Sequence, residues 1–204
     1  MSDRVYTIGH SSHTVEHFIE LIRRHGVTAV ADVRSHPYSR FAPQFSQDQL
    51  KFSLKKSGIA YVFLGKELGA RSKNMTCYHQ GKVQYDLLAK ESLFSEGLQR
   101  VQTGMKKYSL ALMCSEKDPM ECHRAILVAR QLHAKGISVS HILADGQQME
   151  HAELEKRLLE MHKLSERNLF DSYEEILDQA YMMQGCRIAY QTDITKQQGF
   201  PLGM

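Results

Sequence analysis

The chain has 204 residues, which is enough for one sizeable core with an appendage but too few for two ordinary domains. Hydrophobic residues make up 42% of the sequence and charged residues 24%, as in globular proteins. The net charge of +3 is mildly basic and does not by itself indicate a nucleic-acid-binding protein. No apolar run reaches the ~18 residues of a spanning helix, so we expect no membrane association.

The first residues, MSDRVYTIGH, lack the apolar core of a signal peptide, which predicts a cytoplasmic protein. In that compartment we expect reduced thiols or ligands rather than a disulfide framework from the four cysteines, Cys77, Cys114, Cys122 and Cys186. The oligomeric state is left open by the sequence.

Short apolar runs alternate with helical periods along the chain. Strands are predicted at 4–9, 27–34, 59–65, 108–114 and 137–143. Helices are predicted at 14–26, 46–58, within 83–103 and at 119–136. This alternation predicts a three-layer α/β/α fold with a mostly parallel sheet of roughly five strands. Two further helical patterns, within 150–163 and 171–185, follow it. We therefore expect an α/β domain at 1–145 and a C-terminal helical extension at 146–204 packed on it.

Two connections stand out, at 35–45 after the second strand and at 65–82 after the third. The second is longer than most connections in compact domains, and long connections are often functional. Its charged residues give a local excess of three positive charges; they are Lys66, Glu67, Arg71, Lys73 and Lys82. We expect this segment to be a mobile surface loop or a lid over a pocket.

Polar side chains follow the predicted strands at the point where each strand ends. His10 and Ser11 follow the first strand, and Asp32, Arg34 and His36 lie at or after the end of the second. Cys114 and Glu116 lie at the end of the fourth strand. Because ligands bind beyond the carboxyl ends of strands in an open parallel sheet, we expect these side chains to form one pocket, within about 10 Å of each other.

Asp32 and Arg34 alternate along a strand end and should face the same side, where they would form an ion pair. One interpretation is a purely structural pair. In the other, Arg34 binds an anion while Asp32 orients it or acts as a base. Arg40 and Arg71 would add positive charge, and an arginine-rich pocket suits phosphate or carboxylate.

The stretch CSEKDPMECHR, residues 114–124, has the pattern of a helix start. Asp118 occupies the N-cap position, Pro119 the first helical position and Glu121 the position of a capping-box acid. Cys122 should then be a buried thiol on the apolar face of that helix. Arg124 could reach back to the helix start, where an anion is favoured.

Three roles are open for Cys114. A helix N-terminus and a nearby arginine would lower its pKa and make it a nucleophile. It could also be an inert thiol buried at a strand end, or a metal ligand together with Cys122, His123 and either His10 or His79. The spacing Cys-x7-Cys-His is not a standard zinc motif, so we assign no metal. Phosphatase chemistry of the Cys-x5-Arg type is excluded because position 120 is Met.

Four motifs together resemble one family: YTIGHS, DVRSHPYSRFAPQF, YVFLGKELGAR and LMCSEKDPMECHR. The chain is similar through most of its length to the family called domain of unknown function 488, including its C-terminal ILDQAYMMQGCRIAY. Ala70 departs from the glycine that members often have after ELG. The resemblance implies an α/β fold and no established reaction. It also implies a site made of His10, Asp32, Arg34, Glu67, Arg71, Cys114, Glu116, Cys122, His123 and Arg124.

The function that we expect is an enzyme acting on an anionic, phosphate-bearing ligand such as a nucleotide or nucleic acid. The expected catalytic residues are Cys114, Glu116, Asp32 and His10. The expected ligand-binding residues are Arg34, Arg40, Glu67, Arg71, His123 and Arg124. A non-catalytic module that binds nucleotides or nucleic acid through the same residues is one alternative. A metal-binding or thiol-redox protein is another, and the sequence identifies no cofactor.

Overall fold

The structure, a computed structural model, describes residues 4–165 and 171–192. The predicted C-terminal extension therefore lies partly outside the described residues, at 166–170 and 193–204. No helix in the described part of the chain is long and apolar enough to cross a membrane.

Six strands form the main sheet, and they are joined in the order β3-β2-β6-β1-β7-β8. In chain order these are β1 (Arg4–Gly9), β2 (Ala29–Asp32), β3 (Ala60–Phe63), β6 (Leu110–Cys114), β7 (Ser138–Ile142) and β8 (Gln148–Glu150). A separate antiparallel hairpin pairs β4 (Tyr78–His79) with β5 (Lys82–Val83). The first five strands of the main sheet are parallel, and β8 is antiparallel to β7. The mostly parallel sheet predicted from the sequence is confirmed, with one short edge strand added.

Eight α-helices lie in the described residues: α1 (Val15–Arg24), α2 (Gln47–Lys56), α3 (Gly65–Leu68), α4 (Tyr85–Leu88), α5 (Ser92–Met105), α6 (Arg130–His133), α7 (His151–Met161) and α8 (Tyr173–Ile188). A π-helix at Arg124–Ala129 runs directly into α6. The α1 helix begins at a Thr14 cap, which accepts a hydrogen bond from the His17 N–H, and buries Phe18 and Ile22.

Helices cover both faces of the sheet, which makes the fold a three-layer α/β/α arrangement. Helices α1 and α2 pack on one face through Phe18 and Leu50. Helix α5 and the π-helix with α6 pack on the other face through Phe94 and Leu127. Alternate residues of β6 contribute to the two cores, because successive side chains of a strand point to opposite faces. Cys114 faces the same layer as α5 and the π-helix.

Helices α7 and α8 build a third apolar cluster, outside the sheet. Their Leu158 and Ala180 pack with Met120, Ala125 and Ile126, which belong to the segment that follows β6. The C-terminal helices therefore support the backbone of the CSEKDPMECHR stretch from behind. This packing links the C-terminal part of the chain to the edge where we expected the site.

The structure corrects the prediction of one helix at 119–136. A short 3₁₀ turn occupies Pro119–Glu121, and the backbone is extended at Cys122, with φ −137° and ψ 135°. The longer helix begins only after this break. Asp118 caps the 3₁₀ turn by accepting from the Met120 N–H at 2.9 Å. Glu121 does not complete a capping box, because its carboxylate pairs with Arg187 of α8.

Two further expectations need correction. The helix expected within 83–103 is two helices, α4 and α5, separated at residues 89–91. The connection at 65–82 is not a plain loop, because it contains α3, a 3₁₀ turn at Met75–Cys77 and the first strand of the β4–β5 hairpin.

Candidate functional site

A pocket of about 250 Å³ opens at the carboxyl edge of the sheet. Its wall combines side chains from the ends of β2 and β6 with residues from the 65–82 connection and from α8 and the residues after it. The lining residues are Arg34, Ser35, His36, Ala70, Arg71, Tyr85, Cys114, Ser115, Glu116, Glu121, His123, Ile188 and Tyr190. A larger cavity of about 670 Å³ lies between β3 and α5, and none of the predicted site residues lines it.

Arg34 lies in the pocket wall and is held from behind by Asp32. The Arg34 Nε and Nη2 atoms donate to the two Asp32 carboxylate oxygens at 2.9 and 2.6 Å. Asp32 is fully buried and also accepts from the Tyr61 hydroxyl at 2.9 Å. The predicted ion pair is present. Both Asp32 carboxylate oxygens already accept hydrogen bonds, and the residue does not line the pocket. Asp32 therefore orients Arg34 and is not placed to act as a base on a ligand.

His10 also lies behind Arg34 rather than in the pocket. Its ring stacks on Phe45 with 4.3 Å between centroids, and its Nε2 lies 3.2 Å from Arg34 Nη1. Its Nδ1 lies 3.0 Å from the Ser11 carbonyl, so Nδ1 carries the proton and Nε2 accepts from Arg34. Burial first, and then the charge of Arg34, lower the pKa of His10 to about 4. His10 is therefore a neutral acceptor that fixes the arginine.

At the floor of the pocket, two cysteines and a histidine converge. Cys114 Sγ lies 3.6 Å from His123 Nδ1, and Cys122 Sγ lies 4.0 Å from the same nitrogen. Glu116 joins the group, since its Oε2 lies 2.9 Å from Cys122 Sγ. Cys122 is buried as predicted, but not on an apolar helix face. The extended backbone at this residue turns its thiol towards Cys114 and Glu116.

The two thiols differ in acidity. Burial, and next the hydrogen bond to Cys122, raise the pKa of Cys114 well above its usual value. Burial alone would also raise the pKa of Cys122, but the hydrogen bond from Cys114 and the charge of Arg124 outweigh it and hold that pKa well below its usual value. Burial at the end of β6 therefore argues against Cys114 as a low-pKa thiolate.

Glu116 and His123 also carry shifted pKa values. Partial burial, and then the neighbouring Cys122, raise the pKa of Glu116. Burial would lower the pKa of His123, but its hydrogen bond to Cys122 and the nearby charges leave that pKa raised. Several titratable groups with shifted pKa values thus lie together in this pocket, as is common at functional sites.

Arg124 holds the loop that carries Glu116 and does not line the pocket. It is fully buried, and its Nη1 and Nη2 donate to the carbonyls of Glu116 and Lys117 at 2.7 and 3.2 Å. The expectation that Arg124 binds a ligand or forms the pocket wall is corrected, because its guanidinium is used inside the protein. Its part is to position the loop.

Two more of the predicted ligand-binding residues lie outside the pocket wall. Arg40 is exposed in the 35–45 connection. Glu67 pairs with Arg100 of α5 and so faces away from the thiols. Among the predicted ligand-binding residues, only Arg34, Arg71 and His123 line the pocket.

Several pocket residues were not among the catalytic and ligand-binding residues predicted from the sequence. His36 lies 3.5 Å from Arg71 through its Nδ1, and the Arg71 guanidinium stacks 4.3 Å above the Tyr190 ring. The sequence placed His36 after the second strand, as it did Arg34, but no role was assigned to it. Tyr190 and Ile188 carry no such signal, because they come from the chain after the sheet and reach the pocket only through the packing of α8.

The fold and the site together define an α/β protein with a pocket at the carboxyl edge of its sheet, where the buried Cys114, Cys122 and His123 lie beside the exposed Glu116. The family model for the domain of unknown function DUF488 matches residues 14–131, which is more than half of the chain. The chain therefore belongs to the DUF488 family. Comparison with curated proteins and with solved structures gave no match.

Proposed function

We propose that the protein is an enzyme that acts on a small anionic, phosphate-bearing ligand such as a nucleotide. The observation that supports this most is the composition of one pocket wall. Arg34 and Arg71 line the same pocket as Cys114, Glu116 and His123. Guanidinium groups bind phosphate through charge-assisted hydrogen bonds, and the thiol–histidine–carboxyl group beside them can carry out proton transfer.

The two arginines have different parts in this proposal. Asp32 and His10 accept hydrogen bonds from most of the Arg34 N–H groups and so fix the orientation of its guanidinium. Arg34 therefore loses little conformational entropy when a ligand binds. Arg71 is exposed, stacks on Tyr190 and has only a long contact of 3.5 Å with His36, so its guanidinium can turn towards a ligand. Arg71 is the residue expected to contact the phosphate directly.

Glu116 is the group expected to move protons to or from the ligand. Its pKa is raised by burial and by Cys122, which brings it towards the working pH of a general acid or base. It lines the pocket and so can meet a ligand held by the arginines. The volume of about 250 Å³ suits a small ligand, or one end of a nucleotide, better than a nucleic-acid strand.

The test is to titrate inorganic phosphate and nucleoside monophosphates into the protein by calorimetry, and to search the mixtures for turnover by mass spectrometry. Arg71→Ala should weaken phosphate binding about tenfold or more, since a hydrogen bond to a charged group contributes about 1.5–3 kcal/mol. Lys73→Ala is the matched control, because Lys73 is an exposed cation of the same connection outside the pocket wall. Equal losses in the two variants would point to general charge attraction and would overturn the assignment.

A further inference from the structure

The Cys114–Cys122–His123 group has the ligand set and the spacing of a metal site. The three candidate ligand atoms lie within 4.8 Å of one another, and all three residues are buried. Zinc binds thiolate sulfur at about 2.3 Å and imidazole nitrogen at about 2.0 Å, which in a tetrahedral site separates ligand atoms by about 3.5–3.8 Å. The sulfur–nitrogen distances of 3.6 and 4.0 Å come close to that separation.

The orientation of His123 is a second, independent observation. Its Nε2 lies 3.0 Å from the Val33 carbonyl and can only donate to it. In the neutral ring the proton is therefore on Nε2, and the Nδ1 lone pair points at the two sulfurs. Metal-binding histidines nearly always donate their second nitrogen to a carbonyl or carboxylate, which fixes both tautomer and ring plane.

The surroundings of the thiols also suit bound thiolates. The backbone N–H of Arg124 donates to Cys122 Sγ at 3.4 Å, and the buried guanidinium of the same residue adds positive charge nearby. A buried thiolate needs such compensation, because transfer of an unpaired charge out of water is costly. The break in the helix at Cys122, where the backbone is extended, is what brings this thiol to the group.

We propose that Cys114, Cys122 and His123 bind one divalent metal ion of the zinc class, with the fourth coordination position open to the pocket. Cys114 and His123 line the pocket, so a water molecule or a ligand oxygen can reach the ion from that side. Three protein ligands with one open position is the arrangement of catalytic rather than structural zinc sites. Binding displaces the thiol protons, which leave to solvent or to Glu116.

This inference does not depend on the proposed function, although the two combine well. An ion at the pocket floor would polarise an oxygen of a ligand held by Arg34 and Arg71, and Glu116 could accept the proton of a metal-bound water. The spacing Cys-x7-Cys-His gave no zinc motif in the sequence, because the extended residue at 122 cannot be read from it.

The experiment titrates Zn²⁺ and Co²⁺ into protein reduced with a phosphine and cleared of metal, in a buffer without phosphate. We expect one ion per chain, release of protons on binding, and a thiolate-to-cobalt charge-transfer band in the near ultraviolet. Cys122→Ser and His123→Ala should each lower zinc affinity at least about a hundredfold and weaken or abolish the cobalt band, since each removes a direct ligand.

Cys77→Ser and Cys186→Ser are the controls, since one removes a buried thiol and the other an exposed thiol outside the group. Both should leave the stoichiometry and the band unchanged. Circular dichroism of every variant separates loss of the site from loss of the fold, and His123→Gln offers a milder replacement should His123→Ala unfold. Reduced, folded protein that takes up no metal would overturn the inference, as would binding that survives in Cys122→Ser and His123→Ala. Because the titration contains no phosphate, such a failure would leave the proposed anion binding intact.

Discussion

Gly9, the last residue of β1, lies directly against the loop that carries Glu116. A Cβ atom at position 9 would lie 1.7 Å from the Glu116 carbonyl oxygen and 3.3 Å from Arg124 Nη1. Neither the strand nor the loop can shift freely, because the Ser11 N–H and the Arg124 guanidinium hold that loop from two sides. The missing side chain therefore sets how closely the pocket floor approaches β1.

We predict that Gly9→Ala destabilises the protein by about 3 kcal/mol or more, the upper end of the cost of overpacking, since backbone must move. Gly104→Ala is the matched control. Its Cβ would meet only Leu110, at 3.7 Å, and alanine is favoured over glycine within a helix by up to about 1 kcal/mol. Urea unfolding of both variants checks the prediction, which fails if Gly9→Ala is as stable as the control.

At the scale of elements, the turn after β6 depends on Asp118. Its Oδ1 accepts from the Met120 N–H at 2.9 Å, and its Oδ2 lies 3.3 Å from Arg157 Nη2 of α7. The same side chain thus caps the 3₁₀ turn and joins it to a C-terminal helix. Since Met120 packs in the cluster with α7 and α8, loss of the cap would loosen this contact too.

We predict that Asp118→Ala costs about 0.5–2 kcal/mol of folding free energy, the usual cost of a lost cap. Asp118→Asn should cost less, because asparagine caps as well as aspartate and the exposed ion pair with Arg157 is worth at most about 1 kcal/mol. Thermal or denaturant unfolding of the two variants decides this. If both variants lose the same stability, the stabilisation comes from the charge and not from the cap.

The elements differ in how far the sequence could predict them. All five parallel strands were predicted from the sequence; β2 and β6 carry near-continuous apolar runs, as buried strands do. Strand β8 was missed because it has three residues, two of them polar and exposed, and runs directly into α7. The break at Cys122 was missed because Asp118 and Pro119 indicate a helix start, while nothing local indicates that the turn ends three residues later.

The sequence could predict which residues meet in the pocket, because neighbouring parallel strands end at the same edge of the sheet. Arg34, Cys114 and Glu116 meet in one pocket because β2 and β6 are neighbours and end at the same edge. Their roles could not be inferred in the same way. Whether Asp32 faces a ligand or only Arg34, and which thiol is the more acidic, depends on hydrogen bonds between residues far apart in the sequence.

At the scale of the whole molecule, a chain of buried hydrogen bonds crosses from the sheet to the C-terminal helices. Thr7 Oγ1 lies 2.8 Å from His141 Nδ1, and His141 Nε2 lies 2.9 Å from His151 Nδ1. His151 Nε2 then lies 2.9 Å from the Tyr181 hydroxyl, which donates to Glu155 at 3.0 Å. With Thr7 donating first, every group donates once along the chain, and both histidines are neutral. In this arrangement a proton added at His151 Nδ1 would face the N–H of His141 Nε2, donor against donor.

This arrangement makes stability depend on pH. Burial first, and then the neighbouring His133, lower the pKa of His151 to about 3, and burial with Arg34 lowers that of His10 to about 4. Both rings therefore stay neutral in the folded protein below pH 6.5, while the same residues take up protons in the unfolded chain. Stability contributed by a lowered histidine pKa is fully present above the unfolded value and is lost as pH falls towards the folded value. Glu116 has the opposite effect on stability. Because its pKa is raised in the folded protein, its contribution to stability grows as the pH falls towards the ordinary pKa of a carboxyl group.

We predict that the free energy of unfolding falls between pH 6.5 and 4.5 by up to about 1.4 kcal/mol per pH unit for each of His10 and His151. Urea unfolding at a series of pH values measures this slope. His151→Gln should lower stability at neutral pH, because it interrupts the row of buried hydrogen bonds. It should also make the pH dependence of the unfolding free energy shallower by the contribution of one histidine. His79→Gln, which changes an exposed residue of the β4–β5 hairpin, should leave the slope as it is. A free energy of unfolding that stays level or rises as the pH falls through this range would show that these rings accept protons in the folded state, and that the hydrogen-bond direction assigned here is wrong.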